Sequence, residues 1–169
     1  MIFPLKSGSN KSSLMLIAGF DPGSLFFGLA VVERNADGDI FFCHAETVKL
    51  GRAPFMKRMD LLWRELFRLH DRFRLDGVAV EEAFLGKNVH ALSVLAATRG
   101  VALASLLERK IEAFFYSPRE VKLALTGNGN AGKEQVAFMV KNLLRIDRNL
   151  APDESDALAV ACCHALRIK

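Results

Sequence analysis

The sequence predicts a mixed α/β fold, a five-stranded mixed sheet flanked by α-helices, and three observations predict it. An apolar run of strand length, Leu14 to Phe20, is broken abruptly by Asp21, Pro22 and Gly23. Two further strand-like stretches, Leu25 to Arg34 and Asp39 to Val48, are joined by Asn35-Ala-Asp-Gly38, whose Asp-Gly step is a hairpin signal. A long stretch of helical period then leads to a short, continuously apolar run from Gly77 to Glu81. A strand reached through a helix most naturally lies parallel to an earlier one, so the sheet becomes mixed.

Each element has its own justification. The first run is apolar throughout, as suits a central strand buried on both faces. Between Pro54 and Phe73 the residues Phe55, Met59, Leu62, Trp63, Leu66, Phe67 and Leu69 recur at helical spacing with Lys57, Arg58, Arg64 and Arg68 between them. Trp63 and most phenylalanines are thereby assigned to the core. Asn88 to Lys110 reads as a second helix rich in small residues, among them Ala96, Ala97, Gly100, Ala102 and Ala104, against which something packs closely. Glu112 to Tyr116 is the fifth strand. Ser117 and Pro118 resemble an N-cap followed by proline at the first helical position, opening a short helix over Arg119 to Leu125. A glycine-rich loop, Gly127 to Gly132, leads to a helix from Lys133 to about Arg145, and a last helix runs from Pro152 toward Ile168.

The 169 residues suit a single domain, expected over 14–169, with 1–13 as a flexible polar lead-in. Hydrophobic residues are 51 % and charged residues 25 %, a globular composition in which no apolar run is expected to cross a bilayer. The opening Met1 to Leu5 is too short for a signal-peptide apolar region, which points to the cytoplasm. The net charge of +4 leans toward polyanionic partners. Cys43, Cys162 and Cys163 lack metal-site spacing and read as reduced thiols, and the four histidines form no ligand set.

Four carboxylates stand out. Asp21 and Glu81 each end an apolar run, where burial is expensive unless a cation or donor awaits. Asp153 and Asp156 lie three residues apart in a helical segment and share one face. Glu81 and Glu82 point to opposite faces of a strand, so Glu81 is assigned to the site and Glu82 to an exposed or supporting position. The commonplace readings are a simple turn for Asp21, a loop start for Glu81 and a helix cap for Asp153. Three hairpin-linked strands followed by helix, strand, helix, strand and helices is also the order of the ribonuclease H-like fold. In that topology the strands ending at Asp21 and Glu81 are neighbours.

At this point the chain resembles a family, the RuvC-type Holliday-junction resolvases of bacteria. The resemblance is carried by Gly19-Phe-Asp-Pro-Gly-Ser24, Val80-Glu-Glu-Ala-Phe-Leu-Gly-Lys-Asn88, Thr98-Arg-Gly-Val-Ala102, Val121-Lys122, Gly127-Asn-Gly-Asn-Ala-Gly-Lys133 and Asp153-Glu-Ser-Asp-Ala-Leu-Ala159. It implies that Asp21, Glu81, Asp153 and Asp156 are metal ligands and that Lys122 and Lys133 lie near the scissile phosphate. It further implies that Phe84 stacks on a base beside the exchange point, and the composition of Leu85-Gly86-Lys87, suited to exposing an aromatic and a cation, adds Lys87 as a candidate DNA contact. The implied activity is resolution of four-way junction DNA by symmetric nicks. The implied partners are a second copy in a homodimer and the branch-migration proteins of the same pathway. The longer N-terminal extension and Gly132 before Lys133 depart from the family pattern.

Hard oxygen ligands select Mg2+, two per active site, with Mn2+ able to substitute. In such a site one ion activates the attacking water and the other stabilises the departing oxygen. Gly127 to Lys133 also fits the spacing of a phosphate loop, yet Glu134 stands where a magnesium-binding hydroxyl is needed and a helix precedes it. A loop that brings Lys133 toward a DNA phosphate fits better. The rival readings are a related nuclease acting on structured RNA, a non-catalytic junction-binding protein, and an actin-like kinase, for which the chain is too short.

Overall fold

The structure, a computed structural model, describes residues 14–82 and 89–168. The five strands are β1 (Met15–Pro22), β2 (Phe26–Arg34), β3 (Ile40–Lys49), β4 (Gly77–Glu81) and β5 (Ala113–Tyr116), in the sheet order β3-β2-β1-β4-β5. The first three are antiparallel neighbours, while β4 runs parallel to β1 and β5 parallel to β4. The β2–β3 turn closes as its Asp-Gly step predicts: Gly38 has φ +91° and Asn35 Oδ1 accepts the Asp39 N–H at 2.8 Å. β1 continues through Asp21 and Pro22, so Asp21 belongs to the strand and has a fixed face.

The helices are α1 (Phe55–Arg72), α2 (Val89–Arg109), α3 (Pro118–Thr126), α4 (Lys133–Leu144) and α5 (Pro152–Arg167). Strand alternation sorts side chains between two cores on opposite faces of the sheet. Ala18, Phe20, Leu29, Val31, Val78 and Val80 pack with Leu62, Leu66 and Leu69 of α1 and Ala102 and Leu106 of α2. Ile17, Ala30, Val32 and Ala79 pack on the other face against α5, with α3 and α4 outside it. By the same parity Asp21 and Glu81 face α5, in step with Ile17 and Ala79. Ser117 caps α3 as predicted: its hydroxyl accepts the Glu120 N–H at 3.3 Å and Glu120 accepts the Ser117 N–H at 2.9 Å.

Two expectations are corrected. Trp63 is 37 % exposed and lies beside the Phe67 ring, and Phe26, Phe41, Phe42, Phe55, Phe115 and Phe138 are exposed, whereas Phe20 and Phe27 are fully buried. A single sheet face covers only a narrow stripe of α1, namely Met59, Leu62, Leu66 and Leu69, and residues at its margin stay in solvent. Second, Ala91–Arg109 in α2 is long and apolar enough by length and composition to cross a membrane. Its packed side is accounted for by α1, where buried His70 meets Ser105 at 3.1 Å, and that side carries polar Thr98 and Ser105 among its buried residues.

Candidate active site

Asp21 and Glu81 come together because β1 and β4 are adjacent and parallel, with Phe20 paired to Val80. Both side chains sit at the C-terminal ends of their strands on the face that α5 covers. The entering turn of α5 carries Asp153 and Asp156, and two glycines set how closely that turn approaches. A Cβ on Gly28, the β2 partner of Asp21, would lie 2.9 Å from the carbonyl carbon of Asp153 and 3.1 Å from Ala157 Cβ. A Cβ on Gly19 would lie 2.9 Å from Ala161 Cβ. Backbone therefore rests on backbone, and small Ala157 and Ala161 complete the fit.

The electrostatics of the cluster are those of acids waiting for a cation. Burial, followed by repulsion from Glu81, Asp156 and Asp153, pushes the Asp21 carboxyl up from 3.8 to about 7. Burial and then Asp156 raise Glu81 as well, opposed by Lys133 and by a hydrogen bond from Asp21. The Asp21 carboxyl, hydrogen-bonded to Glu81, is thus held far above the usual carboxylate range. Lys133, the first residue of α4, donates from Nζ to Asp156 Oδ2 at 2.9 Å, and that hydrogen bond holds its own pKa up. Lys122 on α3 lines the same cleft, about 200 Å³ in volume, with Glu81, Lys133 and Asp156.

Of the residues expected in the site, Asp21, Glu81, Asp153, Asp156, Lys122 and Lys133 are brought together, and Glu82 is exposed. Phe84 and Lys87 lie outside the described residues, as does the 1–13 lead-in. Sequence reasoning missed Glu154. It accepts the Ala151 N–H at 2.9 Å and pairs with Arg148 at 2.8 Å, so it takes the capping role that had been weighed for Asp153. It also missed Gly19 and Gly28, whose signal was glycine inside two strands next to an acid. Lys133 opens α4 directly after the glycine-rich segment, as expected, and its ammonium donates to Asp156. The phosphate-loop alternative loses its context, since α3 precedes the glycine-rich segment and Gly127 (φ +72°) closes that helix.

The donor set fits divalent metal. Among the described residues no three His, Cys, Asp or Glu side chains are grouped closely enough to hold an ion as they stand. The Lys133 ammonium on Asp156 supplies positive charge there, and all the donors are hard carboxylate oxygens.

Comparison with known proteins agrees with this geometry. The family model described as crossover junction endodeoxyribonuclease RuvC matches residues 17–164. A relative of that name from Helicobacter pylori is 41 % identical over 156 residues, 92 % of this chain and 99 % of the relative. One from Chlorobium phaeovibrioides is 40 % identical over 155 residues, 90 % of this chain and 82 % of the relative. Among solved structures, Thermus thermophilus RuvC in complex with Holliday junction substrate superposes with TM-score 0.85 at 33 % identity, covering 90 % of this chain and 93 % of that one. The yeast mitochondrial Holliday junction resolvase Ydc2, at 14 % identity and TM-score 0.65, shares the fold. The ribonuclease H-like fold expected from the order of elements is the one found, and this chain belongs to the crossover junction endodeoxyribonuclease RuvC family.

Proposed function

We propose that this protein is a structure-selective DNA endonuclease that resolves four-way (Holliday) junctions by paired symmetric nicks in DNA recombination and repair. The observation that carries the reading is the meeting of Asp21, Glu81, Asp153 and Asp156, drawn from three separated stretches of chain, beside Lys122 and Lys133. The relative solved with a Holliday junction substrate supports the choice of substrate.

Asp21, Glu81, Asp153 and Asp156 would hold two Mg2+ ions, or Mn2+ in their place. The chemistry supplied by such a pair is activation of water and stabilisation of the departing 3′ oxygen. The chain's own contribution is positional and electrostatic. Asp21, deep between the others, would hold an ion in its deprotonated form. Lys133 leaves Asp156 for a non-bridging phosphate oxygen, and Lys122 adds positive charge on the opposite wall. Phe84 and Lys87 follow Glu81 in the chain and are proposed to contact the DNA, the ring by stacking on a base at the exchange point.

Two symmetric cuts call for two active sites and therefore a homodimer. The outward side of α2 presents Ala96, Gly100 and Ala104 at four-residue spacing, and a Cβ on Gly100 would meet nothing within 4 Å, so a second copy could approach closely there. Residues 14–169 act as one domain, and we place the protein in the cytoplasm with the branch-migration proteins of its pathway. The test is cleavage of an immobile DNA junction with Mg2+ or with chelator, against a linear duplex and an RNA hairpin. Metal-dependent cuts on the junction alone support the reading. Cuts on the hairpin alone point to the RNA nuclease, and binding without cuts to a non-catalytic protein.

A further inference from the structure

The sheet face that carries Asp21 continues past the end of α5. Asp21 pairs with Gly28 and Gly28 with Thr47, so the three make a row across β1, β2 and β3, and the first turn of α5 rests on its middle member. Two residues further toward the strand ends, the next row on this face is Phe26 with its partner Lys49, since Phe27 between the rows points into the opposite core. That row is open: Phe26 is 43 % exposed and Lys49 is exposed. Its backbone is nevertheless fixed. The Leu25 carbonyl accepts the Leu50 N–H at 2.9 Å and the Gly51 N–H at 3.0 Å, and Arg58 Nη1 donates to the Ser24 carbonyl at 3.1 Å. Exposed Arg52 follows in the same turn. Among the described residues neither Lys49 nor Arg52 enters an ion pair, and the stretches 22–32 and 47–59 carry Lys49, Arg52, Lys57 and Arg58 with no acid between them.

We propose that Phe26, Lys49 and Arg52 form a platform for the sugar–phosphate backbone of the DNA strand beside the cut, the Phe26 ring against a deoxyribose and the two cations on the flanking phosphates. The proposal rests on the reading of this chain as a junction endonuclease. Neighbouring strands lie about 4.8 Å apart and rise about 3.4 Å per residue, which puts Lys49 roughly 12 Å from Asp21 across the face that both share. With about 3.4 Å of duplex axis per nucleotide, this is a reach of about three or four nucleotides from the scissile phosphate. A strand leaving the carboxylates on the side away from Lys122 and Lys133 passes over this row. Its contacts are with backbone alone, so they set the register of the strand in the cleft and read no sequence.

The experiment measures binding of the full-length chain to an immobile junction and to a linear DNA duplex by anisotropy in chelator, over a range of salt, with cleavage in Mg2+ followed alongside. Lys49→Gln combined with Arg52→Gln should flatten the logarithmic salt dependence by about two and weaken binding roughly 10- to 60-fold near 0.1 M salt. Phe26→Ala should weaken binding roughly 5- to 10-fold and leave the slope as it is. Ethylation of a phosphate about three or four nucleotides from the cut should hinder the parent and make no difference to the charge variant. Arg72→Gln combined with Arg74→Gln removes the same charge at the far end of α1, about 27 Å away, and should change neither slope nor cleavage. An unchanged slope in the Lys49 and Arg52 variant, an unchanged ethylation pattern, or equal flattening by the control pair would overturn the platform. If the parent still cuts junctions in those cases, the endonuclease reading stands without it. A parent that binds no DNA would overturn both.

Discussion

Replacing Gly28 with alanine tests whether backbone contact sets the spacing of the four acids. The added methyl would lie 2.9 Å from the carbonyl carbon of Asp153, and nearer still to its oxygen, whereas ordinary contacts of a Cβ begin at 3.4 Å. The first turn of α5 must therefore retreat by at least about 0.5 Å, carrying Asp153 and Asp156 away from Asp21 and Glu81. A displacement of 1 Å costs on the order of 100-fold in rate, so a loss of about 10- to 100-fold in cleavage is expected. Overpacking of this kind costs about 1–3 kcal/mol, or a Tm lower by roughly 3–10 °C for a chain of this size. The assay is single-turnover cleavage of a junction over a range of Mg2+ concentrations, with junction affinity measured separately by anisotropy. Affinity should hold while the rate falls and more metal is needed. Parent rate, parent metal dependence and unchanged Tm together would refute the idea that α5 rests on β2 at this glycine.

Asp21→Asn, Glu81→Gln and Asp156→Asn should each abolish cleavage while junction binding survives, and parent activity in any one would remove that residue from the mechanism. Because the Asp21 carboxyl is raised to about 7 from 3.8, its protonated form contributes stability that is fully present below about pH 4 and lost as pH rises through about 7. Melting curves in chelator should show that loss, and Mg2+ should recover it progressively above about pH 6, since metal and proton compete for one site. Lys133→Ala should slow cleavage and flatten the salt dependence of junction binding by about one phosphate contact; an unchanged slope would keep Lys133 off the DNA. Phe84→Ala should bind junctions nearly as well yet lose the signal of a fluorescent base analogue at the crossover. A lower Tm with base opening intact would assign that ring to packing instead.

The ten elements were legible because this chain states its periods clearly. β1 is apolar up to Asp21, the β2–β3 turn carries Asp-Gly, and Ser117-Pro118 marks a helix start with its cap in place. The acids were legible for a related reason: a carboxylate ending a buried strand conflicts with its surroundings, and the conflict marks function. Contacts fixed by the third dimension were hidden. Trp63 shares the helical period of Leu62 and Leu66 but lies at the edge of the stripe, and period alone does not give the width of the surface beneath. Asp153 and Glu154 are adjacent acids on one turn, and only the position of Arg148 decides which of them caps the helix. The bond from Tyr116 to His164, 2.6 Å across 48 residues, had no local signal at all.

The ion pair of Lys133 with Asp156 ties two binding events into one thermodynamic cycle. One ammonium cannot serve a phosphate and Asp156 together, so on the proposed mechanism DNA that recruits Lys133 would leave Asp156 free for metal. Metal that engages Asp156 leaves Lys133 free for DNA in the same measure. Each ligand must then tighten the other by an equal factor, whichever arrives first. On the proposed mechanism a junction seated at the cleft would act as its own cofactor-loading signal.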